Sequence, residues 1–225
     1  VYTVDLLGCG RSDKSSITYT NFVYVQMISD FIKKIIGQKT DVIASGFSGS
    51  FVTMACHNEK ELFNKIMLVN PPSLTQLKQM PNRKDRLLKA ALEIPIFGTL
   101  VYHMIVSRDN INNLFIEKMY FNPFHVDNQM ADAYYEAAHK GGYYTRFLYS
   151  SLAAKYININ ICHALKALDN SIYIVEGETE PNGKAVTDDY CASNPAIEVS
   201  VLKETKHLPH VEAPEAFLEQ VKIFF

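Results

Sequence analysis

Residues 42–51 read VIASGFSGSF, and this stretch decides the fold class. A β-rich run leads directly into a helical pattern through a turn of the form G-x-S-x-S. A serine on such a sharp strand-to-helix turn is pushed out of the sheet edge, and the next backbone N–H points towards a developing oxyanion. The pattern therefore indicates Ser48 as a nucleophile and the Gly49 N–H as an oxyanion donor.

The same turn leaves two alternatives open. Ser45 is a second hydroxyl in the segment, but Ile43 stands two residues before it and is too bulky for a tight turn. Ser48 is flanked two residues away by the small Gly46 and Ser50, so the pattern favours Ser48. An ordinary Gly/Ser-rich loop between a strand and a helix would also give this sequence.

Strand-like and helix-like segments alternate on both sides of this turn. Buried strands are predicted at 1–7, 41–45, 65–69, 171–176 and 197–202, and helices at 22–36, from 51 to 56, at 184–192 and at 214–225. Alternation of this kind predicts an α/β fold with a mainly parallel sheet and crossover helices.

The alternation stops in the middle of the chain. Between residues 72 and 169 no strand is predicted, and helices are predicted at 83–92, 111–119, 130–140, 144–156 and 161–168. We therefore divide the chain into an α/β core, residues 1–71 and 170–225, and an inserted helical cap, residues 72–169.

An acid and a histidine follow the turn in chain order. Glu180 comes just after the predicted strand 171–176, and His207 lies in the loop between the last strand and the last helix. An acid there can orient a histidine, which can act as the base for a serine. Asp188 and Asp189 remain alternative acids. His207 and His210, three residues apart, lack the neighbouring carboxylate–histidine cluster of a metal site, so we expect no metal.

Four ordered motifs resemble the α/β-hydrolase superfamily. They are DLLGCGRSD at 5–13, like that family's D-x-x-G-x-G-x-S segment, GFSGS at 46–50, like its nucleophile elbow, GETEP at 177–181, like its acid loop, and HLPHVEAP at 207–214, like its histidine loop. The resemblance covers the whole chain, and residues 72–169 match the position of the family's helical cap.

This resemblance implies a serine hydrolase. It assigns Ser48, His207 and Glu180 to a catalytic triad that cleaves an ester, amide or related acyl bond through an acyl-enzyme, with Glu180 where aspartate is usual. Family members carry three further strands and a His-Gly oxyanion loop before the segment that opens this sequence. We therefore expect an N-terminally truncated member that lacks the second oxyanion donor.

The predicted cap is rich in aromatic residues. We predict that Phe47, Tyr102 and Tyr134 contact the substrate, which an apolar cap suits best as a medium-sized acyl or aromatic small molecule. No cofactor is expected. The alternative function is non-catalytic binding of a small molecule on the same scaffold, since a binding site needs no activated serine.

Composition excludes several other classes of function. The 22 basic and 24 acidic residues give a net charge of −2 without a basic stripe, which argues against a nucleic-acid partner. The apolar stretch 94–106 is too short to span a bilayer, so stable membrane insertion is not expected. The four cysteines form no CxxC motif, which favours a reduced, cytoplasmic setting. The sequence leaves the oligomeric state open.

Overall fold

The computed structural model describes residues 1–126 and 128–225. The helices are α1 (Asn21–Phe31), α2 (Phe47–Asn58), α3 (Leu74–Leu77), α4 (Arg83–Glu93), α5 (Pro95–Ile105), α6 (Arg108–Leu114), α7 (Asn128–His139), α8 (Arg146–Ala153), α9 (Cys162–Ala167), α10 (Gly183–Ser193), α11 (Pro209–Glu212) and α12 (Pro214–Phe224). The strands are β1 (Thr40–Ser45), β2 (Phe63–Val69), β3 (Ile172–Gly177) and β4 (Glu198–Leu202).

The four strands form one parallel sheet in the order β1-β2-β3-β4. Ser45 pairs with Val69, and Val69 pairs with Val175, so these three strands end at the same edge of the sheet. The parallel α/β class predicted from the alternating pattern is confirmed. Ligands gather at the carboxyl ends of the strands in open sheets of this kind, and the predicted site residues follow those ends.

The sheet buries apolar side chains on both faces. Ile66 and Leu68 of β2 join one core with α1, α2 and α9, while Met67 and Val69 join a second core with Phe217 of α12. Successive residues of a strand point to opposite faces, so a continuous apolar run supplies both cores. Helices therefore cover both faces of the sheet, as predicted.

The chain from β2 to β3 contains no strand within the residues that the structure describes, and it holds α3 to α9. Most of its predicted helices are present, with shifted ends. The predicted helix 111–119 is α6 followed by a π-helical turn, Phe115–Met119. The helix α5 was not predicted, because its sequence contains Pro95 and Gly98, which usually interrupt helices. Pro95 occupies the first turn, where a backbone N–H would have no helical partner in any case.

The predicted strand at residues 1–7 is wrong. This segment is irregular and mostly exposed, and it is held by contacts other than strand pairing. Tyr2 packs edge-on against Phe31, and the Tyr24 hydroxyl donates to the Leu7 carbonyl at 3.0 Å. A strand is stable only beside a hydrogen-bonding partner, and β1 pairs with β2 alone in the described sheet.

No single helix in 1–126 or 128–225 is both long and apolar enough to cross a membrane, whereas the pair Arg83–Glu93 and Pro95–Ile105, bent by 96°, meets the criteria of length and composition only when counted together.

Candidate active site

The sharp turn between β1 and α2 has Gly46 at its apex. The strand ends at Ser45, the helix begins at Phe47, and Gly46 between them adopts φ 57° and ψ −132°. Its N–H donates to the Val69 carbonyl at 2.9 Å, which fixes the turn to β2. Only glycine reaches this region of backbone space without strain.

The structure corrects the placement of Ser48. This residue lies in the first turn of α2, two residues beyond the apex, and its hydroxyl donates to the Ser45 carbonyl at 2.7 Å. The helix starts at Phe47 rather than at residue 51, because the positive φ of Gly46 lets the chain reverse there. The rival Ser45 is the exposed last residue of β1.

The Gly49 N–H, predicted as an oxyanion donor, has a hydrogen-bond partner within the turn. It donates to the Gly46 carbonyl at 3.1 Å. A side chain at Gly49 would lie 3.1 Å from Leu68 Cδ2, so this glycine allows α2 to approach β2 closely. The N–H that follows the apex belongs to Phe47, at the N-terminus of α2, where backbone N–H groups lack helical partners and favour negative charge.

The structure brings Glu180 and His207 together. The distance from Glu180 Oε1 to His207 Nδ1 is 3.1 Å, and the two side chains are 20% and 33% exposed. The Glu180 N–H donates to the Gly177 carbonyl, which turns the chain just beyond β3 and aims the carboxylate at the histidine. This geometry leaves Nε2 as the imidazole atom that can accept a proton.

The other candidate groups lie elsewhere. Asp188 and Asp189 are exposed on α10, and the carboxylate that His207 contacts is that of Glu180. His210 is part-buried against Phe217, and burial lowers the pKa of its imidazole. Among the described residues, no group of three or more His, Cys, Asp or Glu side chains could hold a metal ion.

Asn70 fixes the histidine loop to the end of the sheet, and sequence reasoning missed it. Its Nδ2 donates to the carbonyls of Lys206 and His207 at 2.8 and 2.9 Å, and its Oδ1 accepts the Gly177 N–H at 3.0 Å. Asn70 follows β2 with φ 43°, a left-handed conformation that asparagine tolerates. The Asn-Pro-Pro sequence after a strand was the available signal.

A cavity of about 380 Å³ opens beside the His207–Glu180 pair. Its lining is mixed, with the apolar Phe47, Pro71, Pro72 and Val186 alongside polar groups that include Asn70, Gln76, Glu176 and Asn182. Gly46 also lines it, whereas Ser48 is not among its lining residues in the described chain. The apex of the turn, rather than Ser48, therefore shares this cavity with the His207–Glu180 pair.

Glu176 is a buried acid in this cavity that the sequence analysis did not single out. It is 6% exposed near the end of β3, and burial raises the pKa of its carboxyl. A hydrogen bond with Thr187 opposes this shift, and the charges of Glu180 and Asp188 add smaller increases. The cavity therefore contains a second carboxyl, and its pKa lies above the ordinary glutamate value.

Phe47 lines the cavity, but Tyr102 and Tyr134 do not. Tyr102 is 7% exposed and donates its hydroxyl to the Ala138 carbonyl at 2.8 Å, so it packs inside the helical segment. Tyr134 lies edge-on to Phe115 with ring centroids 4.9 Å apart. The substrate contact predicted for these two tyrosines therefore stays a prediction; in the structure both pack against other aromatic rings, which their spacing in sequence could not reveal.

Comparison with known families gives a direct match. The sequence profile of the Alpha/beta hydrolase family matches residues 1–220. The chain belongs to this family. It is an α/β-fold hydrolase by descent, which confirms the resemblance found in its four motifs. A search of curated proteins finds no match.

Solved structures support the family at the level of the fold. A carboxylesterase structure from the thaumarchaeon Nitrososphaera gargenis is 15% identical with a TM-score of 0.70, and the match covers 98% of this chain and 77% of that one. A bromoperoxidase from Bacillus anthracis is 11% identical with a TM-score of 0.74, and the match covers 98% of this chain and 79% of that one. The 2-hydroxy-6-oxo-6-phenylhexa-2,4-dienoate hydrolase from Rhodococcus sp. strain RHA1 is 16% identical with a TM-score of 0.74, and the match covers 98% of this chain and 78% of that one.

Proposed function

We propose that the cavity beside His207 hydrolyses an acyl bond, an ester or an amide, of a small molecule. The observation that carries this proposal is the 3.1 Å contact between His207 Nδ1 and Glu180 Oε1 at the wall of the cavity. A histidine oriented by a carboxylate at the carboxyl end of a parallel sheet is a general base in the right place.

Each group of the dyad has a separate task. Glu180 accepts the Nδ1 proton of His207, fixes the tautomer and stabilises the imidazolium that forms during the reaction. Nε2 then removes a proton from the attacking group and later returns it to the leaving oxygen or nitrogen. The Phe47 N–H at the start of α2 is the donor nearest in sequence to the apex, and we assign the developing oxyanion to it.

The cavity suggests the size and character of the substrate. A volume of about 380 Å³ lies at the lower end of the usual range for small-molecule sites, which favours a medium-sized substrate. Phe47 and Pro72 offer apolar contacts, while Gln76 and Asn182 offer polar ones. We therefore propose an acyl compound with an apolar body and at least one hydrogen-bonding group.

The serine route expected from the sequence has less support from the geometry. It needs Ser48 to reach His207 and to form an acyl-enzyme. The Ser48 hydroxyl instead donates to the Ser45 carbonyl from a position two residues past the apex. Hydrolysis by the dyad is therefore proposed without a role for Ser48.

The proposal is tested by steady-state hydrolysis of a series of p-nitrophenyl and aryl esters. His207→Asn and Glu180→Gln should each lower kcat by about two orders of magnitude or more, since base catalysis contributes about 10²–10⁴-fold. Asp188→Asn is the matched control, because it removes an exposed carboxylate from nearby α10. Unchanged turnover in folded His207→Asn would reject the proposal.

A second candidate is binding of a small molecule without turnover. The observation that favours it is the glycine at the apex, which supplies no hydroxyl to the cavity. Under this alternative, the esters would bind and raise the thermal midpoint of the protein, yet the release of p-nitrophenol would not depend on His207.

A further inference from the structure

The apex of the β1–α2 turn is Gly46, and it lines the same cavity as His207. Its conformation, φ 57° and ψ −132°, is held from both sides of the peptide chain. The Gly46 N–H donates to Val69, and the Gly46 carbonyl accepts from Gly49 at 3.1 Å. A side chain at this position would therefore project from a backbone that these two hydrogen bonds already hold in place.

The space above Gly46 would accept a side chain. A Cβ built on Gly46 has no heavy atom within 4 Å. The residue lines the same cavity as Glu180 and His207. A hydrolase of this architecture carries its nucleophile on the sharp strand-to-helix turn, between small residues two positions before and after it. Ala44 and Ser48 meet that condition around Gly46 as well as any pair in the segment.

We infer that Gly46 occupies the nucleophile position and that water, activated by His207, attacks the acyl carbon directly without an acyl-enzyme. This inference rests on the proposed function. His207 Nε2 takes one proton from water while the water oxygen bonds to the carbonyl carbon, and the C=O electron pair moves to oxygen. Collapse breaks the bond to the leaving oxygen or nitrogen, which takes the proton from the imidazolium. The products are a carboxylic acid and an alcohol or amine.

The test compares wild type with Gly46→Ser, Gly46→Ala and Ser48→Ala. Gly46→Ala is the matched control, because it adds the same Cβ at the same positive φ without the hydroxyl. The readouts are covalent labelling by a fluorophosphonate, located by peptide mass, and the pre-steady-state burst with p-nitrophenyl acetate. Circular dichroism melts show which variants fold.

Wild type should turn over ester without a burst, stay unlabelled and be unaffected by Ser48→Ala. Gly46→Ser should be labelled at position 46 and release a burst approaching one product per enzyme, because an acyl-enzyme becomes available. Gly46→Ala should show neither. Each of these results supports the inference, and the wild-type and Ser48→Ala measurements decide the matter even where a Gly46 variant does not fold.

A wild-type burst with label on Ser48 or Ser45 would overturn the inference and leave hydrolysis intact. A folded Gly46→Ser that resists the label would also overturn it. Wild type without His207-dependent turnover, together with a labelled Gly46→Ser, would reject the proposed function and the attack by water while supporting the assignment of position 46.

Discussion

Asn70 shows how one side chain outside the dyad can set the geometry of the site. It is 5% exposed, and Asn70→Ala would leave the carbonyls of Lys206 and His207 and the Gly177 N–H without their partner. We expect a loss of about 3 kcal/mol or more in the free energy of unfolding, because three groups lose their partner and each unsatisfied buried group costs about 1–3 kcal/mol. We also expect a fall in kcat of about tenfold or more, since His207 loses its anchor.

The control for this prediction is Asn194→Ala. Asn194 is also buried and donates to two carbonyls, those of Leu165 and Leu168, outside the cavity. Urea unfolding should show comparable destabilisation in both variants, while ester hydrolysis should fall in Asn70→Ala alone. Equal kcat in the two folded variants would mean that Asn70 only stabilises the fold.

Glu176 gives a prediction about pH. Burial raises the pKa of its carboxyl in the folded state, so the folded state binds this proton more tightly than the unfolded state. Stability is therefore lost as pH rises from the ordinary glutamate value through the raised one. Glu176→Gln should raise the urea midpoint at neutral pH and leave it unchanged at a pH below the ordinary value. A gain of the same size at both pH values would contradict this cause.

At the scale of residues, sequence reasoning paired an acid and a histidine that the structure places in contact, but it put the apex of the turn two residues too late. Glu180 and His207 lie in loops with distinctive motifs, so their order along the chain was informative. The turn 42–51 contains two overlapping small-x-x-x-small patterns, centred on Gly46 and on Ser48. Only the backbone dihedrals distinguish them: the positive φ that marks the sharp turn is at Gly46, whereas the search for a hydroxyl nucleophile favoured the pattern centred on Ser48.

At the scale of elements, glycines set how closely the loops and helices approach the sheet. A Cβ on Gly177 at the end of β3 would lie 1.9 Å from the Lys206 carbonyl oxygen, which is backbone. Gly177→Ala should therefore destabilise the protein by about 1–3 kcal/mol, the usual cost of overpacking, and displace the loop that carries His207. Ester turnover and urea unfolding measure the two effects.

Gly49→Ala provides the comparison for Gly177→Ala. Its Cβ would meet Leu68 Cδ2 at 3.1 Å, the end of a flexible side chain that can move by a few tenths of an ångström. The loss of stability should be smaller, also because alanine is the better helix former. A larger loss in Gly49→Ala than in Gly177→Ala would show that the close contact of α2 with β2 is the more rigid one.

Elements with strong periodicity were predicted well, and those that depend on distant partners were not. The strands β2 and β3 are buried on both faces, so their continuous apolar runs identified them. Residues 1–7 carry a similar apolar run, yet a strand forms only beside a pairing strand. Whether such a partner is present depends on residues outside the segment, so the segment's own sequence does not indicate it. The helix α5 was missed because proline and glycine usually interrupt helices. In the structure, each of the two occupies a position in α5 that suits it.

At the scale of the whole molecule, the sheet has a free edge at β1 in the described chain. Ile43 of this strand is 46% exposed, and its neighbours Asp41 and Ser45 are exposed as well. An edge strand with unpaired backbone groups and an exposed apolar side chain is a template for pairing with another chain. We therefore predict that the protein associates with itself through β1 as its concentration rises.

Ile43→Lys tests this prediction, because a lysine on an edge strand opposes pairing through its charge. Sedimentation velocity at several protein concentrations should show less association for Ile43→Lys than for wild type. Ile223→Lys is the matched control, since Ile223 is 73% exposed on α12, whose backbone groups are bonded within the helix. A similar decrease of association in both variants would mean that exposed apolar surface in general drives it. If Ile43→Lys associates as much as wild type, the β1 edge is excluded as the site where copies meet.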